Sequence, residues 1–230
     1  MARLFDDAAS EYLENTTGTP VSGVPLTMAA WFYCDDVVTW TSRTLIAIQD
    51  KDSGDDWIRL YIRAGDANEA RAGARSSLGH DHAAATTTYS GNAWHHAGAV
   101  FTTTTSRAAY LDGRAKGTNA TAITPLALDS VSVGRIGDSS PGEYMSGRIA
   151  EAVVLRIAAT DYQVWLHAQG VPAPIVWPGW AIAAYYPLFE VDRDFPLGRY
   201  NMTPFNTPSW APHPPKVLAW YRKHMRGSTT

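Results

Sequence analysis

Few residues of this 230-residue chain have the type and spacing that chemistry requires. His80 and His82 flank Asp81, so on a strand both imidazoles share one face, and two His at i, i+2 can chelate a metal. No third ligand stands nearby. His95 and His96 are adjacent and would point to opposite faces of a strand, which predicts packed, hydrogen-bonded rings rather than one site. The run Asp50-Lys51-Asp52-Ser53-Gly54-Asp55-Asp56 begins like a calcium loop, with oxygens close enough to gather round a hard cation. It lacks the later bidentate Glu, Lys51 opposes its charge, and Asp, Ser and Gly are also good turn residues. Gly137-Asp138-Ser139-Ser140 has no G-x-S-x-G frame and runs into Pro141-Gly142, so it reads as a loop. Cys34, the only cysteine, lies beside Asp35 and Asp36 without an adjoining cation, which predicts a small buried side chain. No metal and no cofactor is assigned.

The elements that must position these residues are almost all strands. Leu26, Met28, Ala30, Phe32 and Cys34 alternate with Thr27, Ala29, Trp31 and Tyr33. Ile58, Leu60 and Ile62 alternate with Arg59, Tyr61 and Arg63, and Glu69–Arg75 sets Ala against Arg or Gly, as a strand with one solvated face would. Ala93–Phe101 places Trp94, His96, Gly98 and Val100 opposite His95, Ala97, Ala99 and Phe101. Asp112-Gly113 is a strong hairpin signal, because both central residues of a type I′ turn need positive φ. Further strands are predicted over 131–136, 148–157 and 180–189. Eight to ten short strands bounded by Gly, Asn, Asp and Ser predict an all-β, two-sheet antiparallel sandwich. One short helix is expected after the capping box Thr160-Asp161-Tyr162-Gln163, with Tyr162, Trp165, Leu166 and Gln169 on one face and Gly170 as its stop.

Composition shifts after about residue 190: six of the fourteen prolines fall in 191–230, with little alternation. The chain therefore divides into a sandwich over 1–190 and an extended C-terminal arm over 191–230. Proline removes amide donors, so the arm is not expected to pair as a central strand. Its aromatics suit a stiff segment laid across a partner, and Phe205, Trp210, Pro214, Trp220, Tyr221 and Arg222 are the expected partner-binding residues. Lys216, Arg222, Lys223, His224 and Arg226 add a positive end. A net charge of −3 gives the whole chain no field for nucleic acid, so no nucleic-acid partner is expected. No apolar stretch approaches the roughly 20 residues of a membrane helix, and no membrane partner is expected. The first residues carry no apolar run of a signal peptide.

The segments LTMAAWFYCDD, TLIAIQDKDSGDDWIRLYI, NAWHHAGAVFTTTTSRAAYLDGRAKGT and VSVGRIGDSSPGEYMSGRIAEAVVL come in an order that resembles the laminin-G-like, concanavalin A-like jelly roll over roughly 1–190. The resemblance implies two curved antiparallel sheets, and a family of lectins, glucanases, adhesive modules and viral structural proteins, so fold alone does not decide function. It also implies that Trp94 lies between the sheets. The glucanase members carry two Glu on one strand with an Asp between, one acting as nucleophile and one as acid. No such triad occurs here; Glu151 alone sits mid-strand, where an Arg partner is expected. The chain is therefore expected to be no enzyme. A leaderless, cysteine-poor single module resembles the stand-alone jelly rolls of tailed-bacteriophage virions. That likeness implies a structural protein (capsid decoration or tail-associated) assembled in the host cytoplasm, in many copies, against other virion proteins. The alternative is a carbohydrate-binding module using Trp31, Tyr33, Trp57 and Tyr61.

Overall fold

The computed structural model describes residues 1–225 apart from 66, 190–191 and 196–197. The composition boundary at 190 and Arg226 thus lie outside the described residues. The first eight strands in chain order are β1 (Ala2–Phe5), β2 (Tyr12–Asn15), β3 (Leu26–Cys34), β4 (Ser42–Gln49), β5 (Trp57–Arg63), β6 (Glu69–Ser76), β7 (Gly79–Ala84) and β8 (Trp94–Thr103). Next come β9 (Ser106–Leu111), β10 (Arg114–Asn119), β11 (Ser130–Val133), β12 (Gly147–Leu155), α1 (Asp161–Ala168) and α2 (Ala173–Val176). The chain closes with β13 (Ile182–Tyr186), β14 (Thr203–Phe205), β15 (Ser209–Ala211) and α3 (Pro215–Met225).

Two antiparallel sheets form a jelly-roll sandwich. One runs β10-β9-β8-β3-β12-β1-β15, with β13 also on β12; the other runs β14-β2-β11-β4-β5-β6-β7. The core between them takes the faces that period two assigns: Leu26, Met28, Ala30, Phe32 and Cys34 from β3, and Ile58, Leu60 and Ile62 from β5. Asp112 and Gly113 both adopt positive φ, as the β9–β10 hairpin requires. A bulge in β12 sets Glu151 at φ 54° and shifts the register against β3, so β1 and β13 share one edge of β12.

Strand β8 is turned the opposite way from the expectation. His95, Ala97, Ala99 and Phe101 face the core side, whereas Trp94, His96 and Val100 face outward. Trp94 is half-buried beside Trp31 and Val217 rather than between the sheets. The outer face of this sheet is roofed by helices, so both faces of β8 are covered and alternation alone does not tell them apart. Helix α1 begins at the expected capping box, with Thr160 accepting from the Gln163 amide. It buries Val164, His167 and Ala168, however, and leaves Tyr162 in solvent.

The segment set apart by composition runs along the sandwich in its described residues. β14 pairs with β2 in one sheet and β15 with β1 in the other, so a single stretch adds an edge strand to both. Both are edges, where proline is tolerated. Two helices join the one expected from sequence. In α3, Pro214 and Pro215 preset the backbone of the first turn, and Val217 docks on Ala2, Trp31 and Ala150.

Candidate functional site

The outer face of the seven-stranded sheet stays open. Residues facing out from β5 and β6 line a groove of about 630 Å³. Its floor is Arg59, whose guanidinium lies 4.3 Å from the Trp57 ring centroid and 4.1 Å from that of Tyr61. All three are buried, and the rings lie across Gly73, where a Cβ would come within 2.9 Å of Tyr61. Trp57 and Tyr61 are therefore taken up by the floor and offer no free face. Trp31 is also buried, on the other sheet, and Tyr33 is half-buried under Arg148. None of these four aromatics is an exposed platform.

One wall is the β11–β12 loop over 134–146, pinned by Ile136 against Ala47 and Trp57. It delivers Glu143, at φ 53°, to the Arg59 guanidinium, and Asp138, whose carboxylate accepts from the Ser140 amide. Burial raises the Asp138 carboxyl above its ordinary range. The other wall comes from β6 and β7. Arg71 binds Glu69 and Arg75 binds Asp55 at 2.8 Å. His80 and His82 do share a face, and both line the groove. Burial, followed by the nearby Arg71, lowers the His82 pKa. The groove thus sets arginines in pairs with carboxylates, flanked by imidazoles and the Ser140 hydroxyl. Its lining is polar and rich in both hydrogen-bond donors and acceptors. Trp40 does not line the groove; it is 71% exposed, with its ring seated against Gly65.

Of the other sequence candidates, the 50–56 run reaches the groove through Gly54 and Asp55, and the 137–140 run through Asp138 and Ser140; the rest lie elsewhere. Asp50 and Asp52 of the acidic loop meet Asp129, with ligand atoms within 4.8 Å of one another. Lys51 already bridges that cluster, its Nζ 2.8 Å from Asp52 and 2.6 Å from Asp129. His95 Nδ1 bonds Asp112 at 2.9 Å, and His96 Nε2 bonds His167 Nδ1 at 2.9 Å in full burial. Gly137–Ser140 is a loop, and burial raises the Cys34 thiol. Glu151 pairs with no arginine: it accepts from Tyr185 and lies 2.9 Å from His213, whose other nitrogen reaches the Met1 carbonyl.

The six arm residues are not gathered into one patch. Phe205 stacks on Tyr12 at 4.6 Å, Trp210 lies under the Arg3 guanidinium at 3.7 Å, and Pro214 is buried. Trp220, Tyr221 and Arg222 line an apolar groove of about 640 Å³ with Pro172, Ile175 and the exposed Phe189 and Phe195.

Residues 7–164 match the laminin-G type family of the concanavalin A-like lectin/glucanases superfamily, and the chain belongs to that family. No curated protein matches it in sequence. Among solved structures, it is similar to a candidate carbohydrate-binding protein of Bacteroides ovatus, with 17% identity and a TM-score of 0.66 over 90% of this chain. The chain spans 58% of that protein's length. It is also similar to the heptameric SAP-like pentraxin of Limulus polyphemus, at 14% identity and TM-score 0.58 over 75% of this chain and 83% of the other. The carbohydrate-binding module (CBM40) of the Ruminococcus gnavus IT-sialidase gives 11% identity and TM-score 0.59 over 73% and 97%, and that module has been solved with α2,3-sialyllactose. At these identities the likeness is one of fold, a fold shared with carbohydrate-binding modules.

Proposed function

We propose that this chain is a non-catalytic recognition module that holds a glycan in the groove on the outer face of its seven-stranded sheet. The observation that carries the reading is the groove's make-up: Arg71, Arg75, His80, His82, Asp55 and Glu143 present donors and acceptors side by side. Planar paired groups bind neighbouring hydroxyls. The carbohydrate-binding modules among the structural neighbours support the same reading. The full chain is expected to retain glycans on an array, and Arg75→Ala or Arg71→Ala is expected to weaken the strongest of them about tenfold in calorimetry. An array with no glycan retained overturns the proposal. Release of reducing sugar from a bound glucan, abolished by Asp138→Asn or Glu143→Gln, overturns its non-catalytic part.

A second reading is a structural protein of a bacteriophage virion, multi-copy and assembled in the host cytoplasm. One observation favours it: the apolar groove of Ile175, Phe189, Phe195, Trp220 and Tyr221, a surface suited to a protein partner. Co-sedimentation with purified capsid shells or tails, lost in Trp220→Ala, supports it. No co-sedimentation with either, beside an intact glycan signal, rejects it.

A further inference from the structure

The exposed side of α1 carries a feature that the packing of the fold does not explain. Tyr162 and Trp165 stand one turn apart, their rings 5.6 Å between centroids and 24° from parallel. Tyr162 is 64% exposed, while the helix docks through Val164, His167 and Ala168 on its other side. Two stacked aromatic rings, Tyr162 exposed and Trp165 half-buried, are thus held together at the surface as one plate, at a cost in exposed apolar surface.

The plate is rigid. The capping box fixes the first turn of α1, and the β9–β10 hairpin sits directly beneath it. Gly113 approaches so closely that a Cβ there would come within 2.8 Å of the Trp165 Cα. Along one edge, Asp161 Oδ1 accepts from the Tyr110 hydroxyl at 2.6 Å and from Lys116 Nζ at 2.8 Å. Asp161 Oδ2 has no partner among the described residues, and Lys116 has donors to spare. The exposed Arg114 borders the same depression of about 460 Å³.

We infer that this plate is a second ligand site, separate from the groove, which takes one hexopyranose ring of a neutral glycan. A pyranose has an apolar C–H face, which matches the stacked rings, and a rim of adjacent hydroxyls. An acceptor beside a donor at the edge of the plate serves two such hydroxyls at once. Lys116 and Asp161 cancel in charge beside the rings, which leaves Arg114 as the one uncompensated charge of the lining, at its border, and the stacked rings to select by ring shape. The depression is shallow and open at its sides, which suits one unit of a longer chain.

The test uses the full chain and follows the Trp165 indole signal in a 15N correlation spectrum, assigned by Trp165→Phe. Cellohexaose, laminarihexaose and mannohexaose are titrated separately, with AMP as a stacking ligand of a different class. At least one hexaose is expected to shift the Trp165 signal saturably. Tyr162→Ala, a change at an exposed position, is expected to weaken that titration about tenfold. Arg75→Ala in the groove is expected to leave it unchanged, so failure of the groove does not decide this site. The inference is overturned if no hexaose moves the signal at millimolar concentration, if AMP moves it and the sugars do not, or if Tyr162→Ala titrates like the parent chain.

Discussion

Acidification should loosen the fold through a single buried pair. His96 and His167 are both fully buried, joined Nε2 to Nδ1 at 2.9 Å, with Trp31 at 5.6 Å from one ring and Trp177 at 5.2 Å from the other. Two neutral imidazoles own two N–H groups, and only one is used between them; His96 Nδ1 and His167 Nε2 have no partner among the described residues. Burial holds both rings neutral, with His96 well below the usual imidazole range and His167 pushed down to about 3. The neighbouring His167 and the cation of Lys216 lower His96 further. In the unfolded chain each His titrates near 6.5. Between pH 7 and pH 3 the unfolded state therefore binds more protons than the folded one, and stability rises with pH and falls with acid. At pH 5 the lag of about 1.5 pH units below 6.5 costs about 2 kcal/mol per ring, or about 4 kcal/mol for the pair. That is a large share of the 5–15 kcal/mol typical of a domain. Urea unfolding at pH 7.5 and pH 5.0, compared with the His96→Asn/His167→Gln double variant, isolates the pair from His82, whose pKa burial also lowers. The parent should lose about 4 kcal/mol more than the variant. An equal loss in both refutes the argument, as does NMR titration of either buried ring with a midpoint near 6 in the folded protein.

Two further outcomes follow from backbone contacts. Gly117 in β10 lies against the Ala84 carbonyl of β7, where a Cβ would collide with backbone rather than a yielding side chain. Gly117→Ala should cost about 1–3 kcal/mol in urea unfolding, and an unchanged midpoint would show that this edge of the sandwich has slack. Deleting residues 207–230 removes β15, His213 and α3, uncovering Trp31 and leaving Glu151 with Tyr185 alone. The truncated chain should unfold at markedly lower urea; an unchanged midpoint would return the segment to the role of a free attachment arm.

Period two carries the fold far where one face of a strand is plainly apolar. Leu26 to Cys34 in β3 and Ile58 to Ile62 in β5 enter the core as alternation dictates. It misleads at β8, where the small Ala97 and Ala99 face the core and the bulky Trp94 and His96 lie under helices. Hydrophobicity ranks Trp above Ala, so a strand covered on both sides is read backwards. Helix α1 fails for the same reason: a buried His167 bonded to His96 outweighs two aromatics on the other side. In the groove, the alternation of Arg59 with Arg63 and of Arg71 with Arg75 marks one charged face. What remains hidden is the partner set, since Asp55, Asp138 and Glu143 come from two separate loops.

The two outer faces of the sandwich differ because the chain after β12 is spent on one of them. Helices α1 and α3 roof the sheet containing β8, and roofing it buries polar groups that must then find partners within the fold. His96 finds His167, and Glu151, lifted out of register by the β12 bulge, finds Tyr185 and His213. Both pairs are fully buried, so they have little to offer a ligand. On the opposite sheet the 134–146 loop packs on the outer face, and it covers Trp57 while leaving Arg71, Arg75 and the two imidazoles lining the groove. Charge pairs at a partly wet surface exchange partners at small cost, whereas a buried pair does so only at several kcal/mol. Exchange of partners is therefore open to the charge pairs of the groove and closed to the buried Glu151–His213 pair.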